Sequence, residues 1–344
     1  MTQAFSHEPL RLHPILVPRV WGGSRILRDL HPELADSAGG EPIGESWEVS
    51  DVGDDPALHS RVASGPAAGE TLRSLLEREP SALLGTRVHR DGGPPRLPLL
   101  FKFLDAALPL SVQVHPSDAL IERLGLRGHA GKTEAWVILD SADDSWIVYG
   151  LDVEYREYLE RARTGRGAEG LTRVHVRRGD LVYLPSGTVH AIGPGLLLAE
   201  IQQTSDSTFR LYDWDRPGLD GKPRQLHLDE AAPIVPPPLE PCPYPAPGPA
   251  VRGWRARLND PDSPFEIYEV RTAEPLSLAP PGWRAGERFA IFCLLAGRAE
   301  IAGSEPWGRG TVVFVPATSS PIELRPLTGD ELWGLWMSPR PAAG

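Results

Sequence analysis

The chain has 344 residues, enough for a large core and more than one domain, with 41% hydrophobic and 24% charged residues, as in soluble globular proteins. The formal net charge of -11 argues against a nucleic-acid binder, and no 18-residue apolar run exists for a membrane helix. With only Cys242 and Cys293 and no CxxC spacing, a disulfide framework is not expected and a reducing compartment is.

The first residues, MTQAFSHEPLRLHP, lack the apolar run of a signal peptide, so a cytoplasmic protein is expected. Thirty-five Gly and 37 Pro suit a chain of short strands and turns. Strand-like pieces lie around Ile15–Val20 and Ser46–Ser50. Leu72, Leu75 and Leu76 give an amphipathic helix from about Glu70 to Arg78. This N-terminal region has too little periodic sequence for a core of its own and is expected to add strands to a central barrel.

Residues 110–115 alternate: Leu110, Val112 and Val114 suit a core, while Ser111, Gln113 and His115 project from the other face. A short helix with Asp118 as N-cap and a stripe of Leu120, Ile121 and Leu124 should end at Gly125. A returning strand, Lys132–Leu139, places Lys132, Glu134 and Trp136 on one face. Further on, Gly179, five residues, Pro185, one residue, Gly187, two residues, His190 reads as a strand running into a tight turn. Two His and one carboxylate are a recurrent divalent-metal set, with Gln113 available as a fourth ligand. Val153–Arg163 reads as a helix, Gly165–Gly170 as an exposed loop, and Leu196–Gln203 as a strand with Glu200 and Gln202 on one face. Lys102 lies in the apolar strand PLLFKFLDA, an unusual place for an unpaired Lys. Trp21, Trp47 and Trp136 suit the wall of a pocket or, more commonly, a core.

Residues 231–250 hold nine Pro and read as a semi-rigid connector. Beyond it, Gly310, five residues, Pro316 repeats the start of the His190 motif, but Thr318 and Pro321 stand where Gly and His would fall. Strand patterns at Ala290–Leu295 and Thr311–Val315 survive without ligand residues.

The pair of motifs resembles the cupins, and Gln113-Val-His115-Pro resembles the form found in type I mannose-6-phosphate isomerases. Trp21-Gly-Gly23, IGESWEVSD (43–51), PLLFKFLDA (98–106), GKTE (131–134) and SDSTFRLYDWDR (205–216) are similar to that family as well. The resemblance runs from about Leu12 to Arg216 and is to the short form, without a large helical insertion. It implies a mainly β fold of two cupin-type β-barrel (jelly-roll) domains with a few short helices, the second barrel metal-free. The divisions expected are 1–230 for the N-terminal strands and catalytic barrel, 231–250 for the linker, and 251–344 for the degenerate half.

The implied function is zinc-dependent aldose–ketose isomerisation of mannose 6-phosphate and fructose 6-phosphate through an enediol(ate). One Zn²⁺ per chain would be held by Gln113, His115, Glu134 and His190. Arg210, Lys132 and Asp206 are the catalytic candidates, with Lys102, Ser111 and Arg216 binding substrate. Glu200 and Glu48 are further candidates for the proton-transferring base. The partner expected is a small-molecule sugar phosphate, not nucleic acid or membrane, and the chain is expected to be a monomer, with a dimer as the alternative. Two rivals stand beside this: a non-haem iron cupin oxygenase, and a sugar-phosphate-binding cupin without catalysis. The cluster of Lys102, Lys132, Arg210 and Arg216 disfavours the first.

Overall fold

A computed structural model describes residues 8–89, 94–126, 130–240, 242–244, 253–301, 305–320 and 322–340. Residues 1–7, parts of the Pro-rich connector and Pro321 are among those outside the described residues. Among the described residues the strands form four antiparallel sheets, and the helices are short, as the fold class expects. No described helix is long and apolar enough to cross a membrane.

A six-stranded sheet carries, in order, Leu181–Leu184, Glu134–Ser141, Leu196–Gln203, Leu99–Ala106, Ile15–Gly23 and Ile43–Val49. A five-stranded sheet runs Phe209–Tyr212, Val112–Val114, His190–Ile192, Trp146–Leu151 and Leu171–His175. These two sheets pack through Leu104, Trp136, Ile138, Val182 and Leu198 on one and Ile147, Tyr149 and Ile192 on the other.

The opposite face of the six-stranded sheet is as apolar. Phe101, Phe103, Val137, Leu197 and Ala199 pack with Phe289, Ile291, Cys293, Phe314 and Leu335 of the C-terminal half in one continuous core. Each fully buried Phe contributes about 2–3 kcal/mol of transfer free energy. A strand buried on both faces must be apolar at nearly every position, which explains LLFKFLDA; its one lysine therefore has to be paired.

The C-terminal sheet has seven strands: Gly253–Leu258, Phe265–Thr272, Leu332–Pro339, Ala290–Ala296, Val312–Val315, and then two from the other end of the chain, Leu10–His13 and Arg61–Val62. Leu10 pairs with Phe314 and Arg11 with Val313. Of the strands from the N-terminal region, Ile15–Gly23 and Ile43–Val49 join the six-stranded sheet, while Leu10–His13 goes to the far half. The helices Leu72–Arg78 and Pro80–Leu84 follow it there, with the Phe289 N–H donating to the Leu84 carbonyl and the Ala317 N–H to that of Leu83.

Local limits differ from the sequence pattern by one to three residues, as hydrogen bonding rather than periodicity sets the ends. The cap of the helix Asp118–Leu124 differs in kind. Ser117 is the N-cap, its Oγ accepting from the Leu120 N–H, and Asp118 is the first helical residue. Of its proposed stripe only Leu120 is buried. The Asp118 carboxylate instead accepts from the Gly131 N–H at 2.7 Å and from Gln203 Nε2 at 3.0 Å.

Candidate metal centre and active site

The two facing sheets bring the motif residues together. His190 is paired with Gln113, and Gln113 with Arg210, so these three side chains leave the five-stranded sheet on one face. On the facing sheet Glu200 is paired with both Lys102 and Trp136, and Gln202 with Glu134.

Two glycines set the approach. Gly187 has φ +90, and its N–H donates to the His115 carbonyl at 2.7 Å, tying the turn before His190 to the other histidine. A Cβ there would sit 3.1 Å from Val235 O and Pro237 Cδ, so only Gly suits the position. A Cβ on Gly131 would lie 2.5 Å from the Asp118 backbone N, and that close approach delivers Lys132, Thr133 and Glu134 into the interior.

One ligand atom from each of His115, Glu134 and His190 lies within 4.8 Å of the others, all buried, so the three could hold a metal ion. His115 Nδ1 lies 2.8 Å from the Ser207 carbonyl and His190 Nδ1 2.9 Å from that of Thr188. Carbonyls only accept, so both Nδ1 carry the proton and both Nε2 turn a lone pair inward. Burial first, then the Lys132 charge, pushes the His115 pKa well down; burial also lowers that of His190. Both rings are therefore neutral, as ligands must be.

Glu134 is fully buried; its Oε2 is ion-paired with Lys132, while its Oε1 faces His190 Nε2 at 3.2 Å with no hydrogen-bond donor. Burial alone would push its pKa up, but the Lys132 ammonium outweighs it and holds it well below the usual carboxylate range. A buried, charged carboxylate with unfilled acceptor positions facing two lone pairs is the donor set of a cation site. Gln113 lies at the edge of this set: its Nε2 stands 3.2 Å from His190 Nε2, and a half-turn of the amide would present Oε1 at the same point.

Around this cluster runs a chain of alternating charge. Lys132 Nζ is 2.6 Å from Glu134 Oε2, 3.2 Å from His115 Nε2 and 3.8 Å from Glu200 Oε1. Lys102 Nζ bridges Glu200 at 3.1 Å and Glu45 at 3.3 Å. Glu45 in turn accepts from Arg19 Nε at 2.7 Å and Trp47 Nε1 at 2.8 Å. Burial would lower the Lys102 pKa, yet Glu200 and Glu45 raise it, so the ammonium stays charged in the interior. Glu200 is the exception: burial and the nearby Glu134 charge raise its pKa despite the two lysines. Its other oxygen accepts from Trp136 Nε1 at 2.9 Å. Trp136 packs edge-on to His190 at 5.6 Å, so that indole is both core and site wall.

The remaining candidates are placed as follows. Arg210 lies beside Gln113 on the sheet, its Nη1 donating to the Gln225 carbonyl at 2.8 Å. Ser111 is buried just before the Gln113 strand. Arg216 is largely buried and pairs with Asp213 at 3.1 Å. Asp206 is exposed on the loop between Gln203 and Phe209. Glu48 faces the other side of its strand, held by His31 and Ser46. Sequence reasoning passed over Glu45, Arg19 and Arg224. Glu45 alone carried a signal, lying two residues before Trp47 on the same face of its strand.

Two facing antiparallel sheets that enclose a buried two-histidine, one-carboxylate centre define a metal-site protein of the cupin class. Residues 10–135 match the family model "Phosphomannose isomerase type I, catalytic domain". Mannose-6-phosphate isomerase ManA of Bacillus subtilis is 40% identical over 233 residues, spanning 66% of this chain and 68% of the relative. Mannose-6-phosphate isomerase of Streptococcus mutans is 35% identical over 229 residues, with the same shares. The crystal structure of the mannose 6-phosphate isomerase from Bacillus subtilis superposes with a TM-score of 0.74 at 27% identity, covering 96% of this chain and 99% of that one. A zinc-bound mannose 6-phosphate isomerase shares the fold at a TM-score of 0.67 and 19% identity, over 96% and 99%. The chain belongs to the type I phosphomannose isomerase family.

Proposed function

We propose that the protein interconverts mannose 6-phosphate and fructose 6-phosphate, with one zinc ion held by Gln113, His115, Glu134 and His190. The observation that carries this is the buried Glu134 carboxylate, ion-paired with Lys132 at one oxygen and open at the other, facing two neutral histidines beside Glu200. When bound, zinc supplies Lewis acidity to the sugar's carbonyl and hydroxyl oxygens.

The chain's own residues handle the proton and the charge. Isomerisation moves a proton between C2 and C1 by way of an enediol(ate). Glu200 is the buried carboxyl with the raised pKa, so it takes the C2 proton and returns it to C1; Asp206, being exposed, is not given that task. Lys132, whose ammonium lies between Glu134 and Glu200, donates to substrate oxygens, and Lys102 keeps Glu200 in place. Arg210 stabilises the negative charge of the enediolate. Ser111 and Arg216 bind the substrate.

In this reading residues 1–230 carry the site and residues 251–344 form a metal-free structural half, joined by the Pro-rich connector. The protein would act in the cytoplasm as a monomer. A coupled assay on mannose 6-phosphate tests the reading. Turnover abolished by chelator and restored by zinc is expected; binding without turnover, or oxygen uptake with iron in place of isomerisation, overturns it.

A further inference from the structure

Beyond the metal centre, two guanidinium groups converge on one carboxylate, with a third, that of Arg210, close by. Asp213 is buried and accepts from Arg224 as a fork, Nε to Oδ2 at 2.7 Å and Nη2 to Oδ1 at 2.5 Å, while Arg216 Nη2 reaches Oδ1 at 3.1 Å. Arg216 Nε and Nη1 are buried without a hydrogen-bond partner, as is Arg210 Nε. Residues 225–227 run alongside Arg210: its N–H donates to His227 Nδ1 at 3.1 Å, and the His227 N–H donates back to its carbonyl. Arg224 is thereby held next to Arg210. Burial first, then the like charges of Arg224, Arg216 and Arg19, lower the Arg210 pKa.

The turn that folds Arg216 back on Asp213 is strained. Trp214 and Asp215 both have left-handed backbones, φ 58 and 51, which non-glycine residues adopt at a cost. Two bonds pin it: Trp214 Nε1 donates to the Leu110 carbonyl at 2.6 Å, and Tyr212 Oη to Asp215 Oδ2 at 2.8 Å. The first anchors the turn to the residue that leads into Ser111, Gln113 and His115, so the arginines keep a fixed place relative to the metal ligands.

Arg216 and Arg224 against Asp213 leave one positive charge in excess, with Arg210 beside them, and a sugar phosphate carries between about 1.5 and 2 negative charges at neutral pH. We propose that Arg224 is the residue that makes this cluster select a phosphorylated sugar. By occupying Asp213 bidentately it offsets the carboxylate that would otherwise repel the phosphate and cancel the charge of Arg216. This rests on the sugar-phosphate reading above.

The test uses the zinc-loaded protein and two probes, mannose 6-phosphate and inorganic phosphate. In Arg224→Ala, KM for mannose 6-phosphate and the inhibition constant for inorganic phosphate should both rise about tenfold or more, with kcat much less affected. Zinc content should match wild type. Both constants unchanged in a folded, zinc-replete variant overturn the proposal. If Arg224→Ala fails to fold, Arg224→Lys serves, since it keeps a charge and loses the fork; phosphate inhibition equal to wild type in that variant is equally fatal. A merely structural Arg224 would lower thermal stability without changing the phosphate constant, which also rejects the idea. Should the wild-type enzyme not isomerise, the isomerase reading falls by itself. The rise in Tm that millimolar phosphate gives the wild type, absent in the variant, then still reports on Arg224.

Discussion

His115, Glu134 and His190 are complementary: two lone pairs fixed by backbone carbonyls meet one charge with an open acceptor oxygen. Replacing any of the three with Ala should remove zinc and activity together, read by metal analysis and the coupled assay; near-normal zinc in His190→Ala would take that residue out of the site. Gln113→Ala should be milder, as a neutral amide adds least. Arg210→Ala should keep zinc and fold but lose roughly a hundredfold in kcat, the usual cost of one well-placed donor to a developing oxyanion. Arg210→Lys should recover little, since a point charge does not reproduce the planar fork. Solvent exchange at C2 separates the roles: it should slow with isomerisation if Arg210 acts on the enediolate. Glu45 carries a pH signature. Burial would raise its pKa, but Lys102 and Arg19 bring it down to about 2, against an ordinary 4.5. The stabilisation is complete above pH 4.5 and lost as pH falls from there toward 2, at most about 3 kcal/mol. Urea titrations across that window should show a shallower acid loss in Glu45→Gln than in wild type.

At the scale of elements, the strand Leu10–His13 buries Leu10 and Leu12 in the C-terminal sheet. Leu12→Ala should cost about 2–4 kcal/mol in chemical denaturation while leaving kcat and zinc content alone; a kcat loss at full stability would contradict that purely structural role. Cys293 is fully buried at the centre of Ala290–Ala296, and Cys293→Ser should likewise lower Tm without changing turnover. These cases also divide what was legible beforehand from what was not. The ligand residues stood out because each motif is local: alternation sets the face of Gln113 and His115, and Gly187 and Pro185 sit within a few residues of His190. The pairing of Leu10 with Phe314 has no local trace, since a four-residue strand fits any open edge and only the folded core selects one. Arg224 was silent for a related reason. It lies in an irregular stretch, and its meaning comes from Asp213, eleven residues away, through a turn with two left-handed residues that no propensity announces. The Asp118 cap misled because Ser117 and Asp118 are both good caps, and the tertiary bond to Gly131 claimed the aspartate.

For the whole molecule, the decisive fact is the core that spans the sheets of both halves. Calorimetry should therefore give one cooperative transition; two well-separated peaks would mean independent units. Residues 1–230 expressed alone should bind hydrophobic dyes and lose zinc, because Phe101, Phe103 and Leu197 would face water. Co-expression with residues 251–344 should restore activity.

The pairing of Leu10 with Phe314 also sets a schedule for synthesis. The first strand leaves the ribosome early, but its neighbour is made about three hundred residues later, a wait of roughly 15–60 s at ordinary translation speeds. During that interval the strand has only Arg61–Val62 beside it, and the outer face of the six-stranded sheet has no cover. The nascent chain is thus exposed to mispairing until the strand of Phe314 is made. Slow, late-closing topology of this kind places the folding hazard in that waiting period.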